Sequence, residues 1–130
     1  MNNTIKTLVF ACLIFIVNLS GAAQTINKNA LTNMWKLDTY MINGKNYTPS
    51  KKEKNDFICF NDDMTFVLKS EGKEEKGTYM INTNGAYIEM IDNNNEKLKA
   101  YIILTTKEKL VLVFNIKELR EVEVHYKISK

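Results

Sequence analysis

Asn33-Met34-Trp35-Lys36-Leu37 opens a long series of short apolar segments, and this series decides the fold. From Trp35 to Ile128 almost every apolar run has the length of a β-strand and ends at Asn, Asp, Gly or Lys. This pattern is typical of an antiparallel meander, and a meander with so many strands tends to close into a barrel. The sequence therefore predicts an all-β protein, an up-and-down antiparallel β-barrel of about eight strands.

The turns and connections between the strands carry their own signals. Alternation of apolar and polar residues predicts strands over residues 33–42, 56–61, 64–70, 76–82, 86–91, 97–105, 109–115 and 121–129. Asn43-Gly44 and Asn84-Gly85 predict two-residue turns, because both central residues of such a turn need a positive φ. The long connection over 45–55 is a candidate for a short helix that starts near Pro49-Ser50, and a single helical turn is expected over 27–33.

The same alternation assigns side chains to the two faces of the barrel wall. In the last strand, Val122 and Val124 are predicted to point inward, and Glu123 and His125 outward. The second strand stays ambiguous between Ile58 with Phe60 and Phe57 with Cys59. Met41 and Leu104 are assigned to the inner face. The residues predicted to line the interior as candidate ligand-binding residues are Trp35, Leu37, Thr39, Phe66, Tyr79, Ile102, Leu112, Phe114 and Tyr126.

This aromatic interior leaves two interpretations open. A barrel of about eight strands either fills its interior with side chains or holds one small ligand. Large side chains are needed in both cases, since a filled barrel must exclude voids. Thr39, Tyr79 and Tyr126 are the good polar candidates on the inner face. A bound ligand would therefore be small and mostly apolar.

The predicted outer face of strands six and seven is unusual because it is apolar. Tyr101, Ile103, Val111 and Val113 occupy adjacent outward positions there. Solvated faces of antiparallel sheets normally carry polar residues, so a contiguous apolar patch indicates that something covers it. We expect a homodimer or another protein partner at this patch, with the 45–55 connection or the N-terminal turn as alternative covers.

Residues 1–23 have the features of a signal peptide. Lys6 gives a positive start, an apolar run from Leu8 to Val17 follows, and Gly21-Ala22-Ala23 offers a cleavage site before Gln24. The apolar run is shorter than the roughly 20 residues that span a membrane, and Cys12 does not stand where a lipid would be attached. We expect an exported protein without a stable membrane anchor, periplasmic or extracellular, in which residues 24–130 form one domain.

Composition and residue spacing argue against several classes of function. The net charge of +3 and the absence of a basic stripe among the aromatics argue against nucleic-acid binding. His125 is the one histidine, and although Glu123 makes a general base conceivable there, its outward position favours a solvated surface residue. Cys59, the one cysteine left after cleavage, is expected to be a small buried apolar residue. We therefore expect no enzyme, no metal site and no cofactor.

Three motifs give the chain a resemblance to a known family. They are Trp35 in the first strand, the hairpin Phe60-Asn61-Asp62-Asp63-Met64-Thr65-Phe66, and Gly77-Thr78-Tyr79 at the start of a later strand. In these features the sequence resembles the small bacterial lipocalin-like domains, which are exported eight-stranded barrels. The resemblance covers residues 30–128. It implies a lipocalin-like barrel over 24–130. From the residues of the interior themselves, we expect a small apolar ligand inside this barrel or, alternatively, a filled barrel that acts through its outer surface as an interaction or inhibitory module.

Overall fold

A closed antiparallel barrel is built by residues 26–129, the part of the chain that the computed structural model describes. The predicted signal peptide and Cys12 lie outside the described residues. The one α-helix in this range, α1, spans Lys28–Leu31. The strands in this range are β1 (Met34–Ile42), β2 (Lys45–Tyr47), β3 (Phe57–Phe60), β4 (Thr65–Ser70), β5 (Lys73–Asn82), β6 (Tyr87–Asp92), β7 (Lys97–Thr105), β8 (Lys109–Phe114) and β9 (Val122–Ile128). No helix within residues 26–129 has the length and hydropathy to cross a membrane.

Eight of the strands described for residues 26–129 form the ring, which confirms the predicted lipocalin-like up-and-down barrel. From β3 to β9 each strand pairs antiparallel with the next, and β1 closes the ring by pairing with both β3 and β9. The short strand β2 pairs only with the second half of β1, at Tyr40–Ile42. The connection that the sequence left as a candidate helix thus contains β2, followed by a 3-10 turn at Lys51–Glu53.

One of the two predicted tight turns is confirmed and the other is wrong. Asn43 and Gly44 both have a positive φ, at 50° and 77°, and they link Ile42 directly to Lys45. The β5–β6 hairpin instead has a four-residue turn between Asn82 and Tyr87, with Ala86 in the left-handed region. The side chain of Asn82 explains this longer turn, because its Oδ1 accepts a hydrogen bond from the N–H of Gly85 at 2.7 Å.

Two β-bulges reverse the side-chain alternation that the sequence predicts. In β1 the register shifts between Leu37 and Thr39, so Thr39 pairs with His125 on the outer face and Tyr40 pairs with the inward Val124. The inward predictions for Thr39 and Met41 are therefore wrong. A similar shift in β7, between Ile102 and Leu104, leaves Leu104 exposed where an inward position was predicted. A bulge adds one residue to one strand, and every side chain beyond it changes face.

The end of the barrel at which β1 begins is tightly packed. The expected helical turn is present as α1, and its Leu31 is completely buried. The indole N–H of the buried Trp35 donates a hydrogen bond of 2.9 Å to the backbone carbonyl of Leu31. Phe60 and Tyr79 meet edge to face beside them, with ring centroids 4.9 Å apart. Ile58 and Phe60 are thus the inner residues of β3, which settles the ambiguity of the second strand.

The position of Gly77 is dictated by the close approach of a neighbouring backbone. A Cβ on Gly77 would lie 1.9 Å from the carbonyl oxygen of Ile91. No backbone can accommodate such an overlap without moving, so the contact between β5 and β6 requires glycine at this point. The Gly77-Thr78-Tyr79 motif therefore combines a close strand contact at Gly77 with a buried aromatic side chain at Tyr79.

Candidate functional site

A cavity of about 820 Å³ occupies the other end of the barrel. Strand ends surround it, with Ile42, Ser70 and Val122 near its rim. Much of its wall is apolar and comes from the inner faces of the strands, including Leu37, Phe66, Met90, Leu98, Phe114 and Val124. Pockets of about 300–1,000 Å³ with mostly apolar walls are typical of small-molecule sites. The barrel is thus packed at one end and hollow at the other.

The structure divides the residues that the sequence predicts for the interior. Leu37, Phe66, Phe114 and Tyr126 line the cavity. Trp35, Tyr79, Ile102 and Leu112 belong to the buried core, outside the cavity lining. Thr39 lies on the outer face beyond the bulge in β1. The predicted residues are therefore not one group, because the interior is divided between packed core and cavity.

The polar residues of the cavity wall other than Tyr126 are absent from the residues predicted by the sequence, and Tyr40, Glu53 and Asp56 are among them. Tyr40 turns inward because of the bulge in β1, which leaves no mark on the alternating pattern. Glu53 and Asp56 come from the connection between β2 and β3. Strand β1 pairs with β3 only as far as Lys36 and pairs with β2 from Tyr40 onward. The connection between β2 and β3 covers the gap that this change of partner leaves in the barrel wall.

Glu53 is held in place by hydrogen bonds from both sides. The hydroxyl of Tyr40 donates to its Oε2. The backbone N–H and the hydroxyl of Ser50 donate to its Oε1, at 3.1 and 2.8 Å, which makes a capping box at the start of the 3-10 turn. Burial acts to raise the pKa of Glu53, but the donors Tyr40 and Ser50 outweigh it and hold the pKa below its ordinary value. Glu53 is therefore a fixed, ionised carboxylate at the cavity wall.

Among the described residues, Asp56 is the one charged residue that is buried, and 6% of its surface is exposed. One carboxylate oxygen, Oδ1, accepts a hydrogen bond of 2.9 Å from the N–H of Glu71. The backbone of Asp56 joins two neighbouring elements, since its carbonyl accepts from Leu37 and its N–H donates to Glu53. Burial and the neighbouring Glu53 and Glu71 carboxylates raise the pKa of Asp56, against the hydrogen bond from Glu71 and the nearby Lys69.

Tyr126 places a polar group on the apolar part of the cavity wall. Its side chain is 6% exposed and lines the cavity. Its hydroxyl makes no hydrogen bond with any other residue in the range 26–129, in contrast to the hydroxyl of Tyr79, which donates to the carbonyl of Asn61 at 2.8 Å. Burial and the proximity of Tyr40 and Asp56 raise the pKa of the Tyr126 phenol. Tyr126 therefore stays neutral and remains available as a hydrogen-bond donor or acceptor.

The predicted outer patch is partly exposed and partly buried. Tyr101 and Ile103 are exposed, Ile103 at 46%, and Val113 is half-buried. Val111 points outward as predicted, opposite His125, but it is 3% exposed and therefore does not belong to the accessible surface. The physical reason lies in its larger neighbours, because Leu104 and His125 stand opposite Val111 on the two adjacent strands. Leu104, displaced outward by the bulge, takes the place of Val111 in the exposed patch.

The two reactive residue types considered from the sequence lie outside the cavity. His125 is on the outer face of β9, with its Nε2 3.0 Å from Oε1 of Glu123. Cys59 is half-buried on the face of β3 opposite to Ile58 and Phe60, and burial raises the pKa of its thiol. A raised pKa lowers the fraction of reactive thiolate at neutral pH. Neither residue contributes to the cavity lining.

The family can be assigned now that the barrel and its cavity are established. The model of the lipocalin-like domain family matches residues 31–112, more than half of the chain. The chain belongs to the lipocalin-like domain family. Such domains are typically binding folds rather than enzymes. Comparison with the curated proteins gives no match, and comparison with the solved structures gives none either.

Proposed function

We propose that this protein binds one small, mainly apolar ligand inside its barrel. The observation that carries the proposal is the cavity of about 820 Å³ with a largely apolar wall. A barrel with no role for its interior would gain stability from larger side chains at Leu98 or Val124, since close packing is the normal state of a protein core. The packed end around Trp35 shows that this chain can fill its interior fully.

A cavity-filling variant tests the proposal. Leu98 is half-buried and lines the cavity, so Leu98→Trp should occupy part of the volume that a ligand needs. We expect the neutral fluorescent probe N-phenyl-1-naphthylamine to bind the unmodified protein and to bind Leu98→Trp at least about tenfold more weakly. Met80→Trp is the matched control, because Met80 is 63% exposed on the outside of β5. Equal probe binding by the two variants would place the probe elsewhere and contradict the proposal.

The proposed setting is outside the cytoplasm, after removal of residues 1–23. The positive residue Lys6, the apolar run and Gly21-Ala22-Ala23 support it. Intact mass spectrometry of protein exported from a bacterial host should give a chain that starts at Gln24. A mass that retains residues 1–23, or one that includes a lipid, would contradict this part of the proposal.

A second function, self-association through the outer wall, is favoured by one observation. Tyr101, Ile103 and Leu104 are large apolar side chains exposed next to each other on β7. We propose a second copy of the chain as the partner, since equivalent strands can meet across a two-fold axis. Ile103→Lys should then convert a dimer into a folded monomer in sedimentation velocity, whereas Met80→Lys should leave the dimer intact. A monomeric unmodified protein would contradict this function and leave ligand binding unaffected.

A further inference from the structure

The charge around the cavity has the opposite sign to the charge of the whole chain. Five carboxylates lie along the lining: Glu53, Asp56, Glu75, Asp92 and Glu96. The basic residues of the same lining are Lys69 and Lys97. The chain as a whole carries a net charge of +3. An acidic opening on a weakly basic protein is a local feature that attracts cations and repels anions.

Glu53 and Asp56 contribute most to this field because the protein limits their access to water. No lysine or arginine in the range 26–129 makes a salt bridge with either of them, and the salt bridges found there join His125 to Glu123 and Lys127 to Asp38. Both carboxylates are positioned by hydrogen bonds from Ser50, Tyr40 and Glu71. A partly buried carboxylate without a cationic partner interacts more strongly with an incoming cation than an exposed one does.

The Tyr126 hydroxyl is a second and independent indication that the ligand has a polar end. The Tyr126 side chain is 6% exposed and lines the cavity, and its hydroxyl makes no hydrogen bond with another described residue. Among the described residues the sealed side-chain polar atom without a partner is Thr105 Oγ1, so the Tyr126 hydroxyl is open to the cavity and can pair there with a donor or an acceptor of a ligand. Leu37 and Phe66 on the same wall supply apolar surface for the rest of the ligand.

We infer that the cavity selects an amphipathic organic cation, a protonated amine on an apolar body, with its ammonium group at Glu53 and Asp56 and its apolar body against Leu37, Phe66 and Phe114. The inference rests on the proposed function, since it specifies the ligand class of the same cavity. An ammonium group donates up to three hydrogen bonds, which suits carboxylates that can only accept. A fatty-acid carboxylate would meet like charge at this opening. Among residues 26–129, no group of three or more His, Cys, Asp or Glu side chains is arranged to hold a metal ion, so an organic cation fits the pair better.

Displacement of N-phenyl-1-naphthylamine by three ligands of ten carbon atoms each tests the inference. Decylammonium, decanol and decanoate have similar apolar chains and a positive, a neutral and a negative polar group respectively, and each is used below its micelle concentration. We expect half-displacement by decylammonium at a concentration at least about tenfold lower than by decanol, with decanoate weakest. Added salt should narrow the gap between decylammonium and decanoate, because screening weakens the interaction of charges.

Variants of the two carboxylates locate the effect. Asp56→Asn and Glu53→Gln keep the size of the side chains and remove the charge, so each should reduce the preference for decylammonium over decanol severalfold. Glu121→Gln is the matched control, because Glu121 is exposed and outside the cavity lining. Equal displacement by decylammonium and decanol, or an undiminished preference in both variants, would overturn the inference and leave the proposed function intact. Failure of decanol and of the probe to bind would instead overturn the proposed function.

Discussion

The two ends of the barrel are built from the same strands and yet have opposite characters. At the end near Trp35 the side chains fill the interior, and the indole of Trp35 and the hydroxyl of Tyr79 donate to backbone carbonyls. At the other end the strands enclose a cavity, and the hydroxyl of Tyr126 has no such partner within residues 26–129. The difference indicates that the fold is stabilised chiefly at one end, which leaves the other end able to hold a ligand.

The capping segments explain the difference between the ends. At the packed end, α1 lies over the barrel and brings Leu31 against Trp35. At the hollow end, strand ends and turns contribute charged side chains such as Glu75 in β5 and Glu96 in the turn before β7, which remain at the surface. Apolar side chains from a capping helix contribute to the core, whereas charged side chains cannot enter it without a partner.

The largest expected effect is that of Trp35→Ala at the packed end. Deleting a fully buried large aromatic side chain costs about 3–5 kcal/mol, and this variant also removes the hydrogen bond to Leu31. Leu98→Ala at the cavity is the comparison, and it should cost less than Trp35→Ala because Leu98 already borders open volume. Urea titration measures both values. A loss below about 1 kcal/mol for Trp35→Ala would show that the packed end does not dominate stability.

Removal of single hydroxyl groups should give a smaller effect that again differs between the ends. Tyr79→Phe should cost about 1 kcal/mol, because it removes the hydrogen bond from the hydroxyl to the carbonyl of Asn61, which then accepts only from the N–H of Met64. Tyr126→Phe should change the free energy of unfolding by less than about 0.5 kcal/mol or stabilise the protein, because its hydroxyl makes no hydrogen bond within residues 26–129. Both are measured by urea titration at neutral pH. Equal losses in the two variants would show that Tyr126 has a partner after all.

A similarly small effect, a change of stability with pH, is expected at the cavity wall. The pKa of Asp56 is raised above 3.8, so its stabilisation is present below pH 3.8 and is lost as the pH rises through the higher folded-state pKa. The pKa of Glu53 is lowered below 4.5, so its stabilisation is present above pH 4.5 and is lost as the pH falls through the lower folded-state pKa. As the pH rises from 3 to 7, the stability of Asp56→Asn should therefore increase relative to that of the unmodified protein. The stability of Glu53→Gln should decrease relative to it over the same range.

Each of these two changes should stay below about 1 kcal/mol, as is usual for partly solvated charged groups. Urea titrations across this pH range give the free energies of unfolding, and Glu121→Gln serves as the control for an exposed carboxylate. Two variants that shift in the same direction would contradict the opposite environments of Glu53 and Asp56.

The class of fold and several residues of the packed core could be predicted from the sequence alone. Period-two alternation gave the strand order and the inward positions of Trp35, Tyr79 and Leu112, because a wall with one buried face must alternate. The turn at Asn43-Gly44 was predicted correctly because the signal is local: both residues tolerate a positive φ. Such features depend on near neighbours in the chain, and near neighbours are what a sequence shows directly.

The existence of the cavity at one end and the identity of its polar wall residues follow only from the tertiary structure. The bulges in β1 and β7 depend on how a strand fits its partners around a closed ring, and they moved Thr39 and Leu104 outward and Tyr40 inward. Asp56 reaches the cavity because the connection after β2 folds over the gap between β1 and β3. Whether a barrel interior is filled depends on how side chains from distant strands share one volume, and the alternating pattern carries no information about that volume.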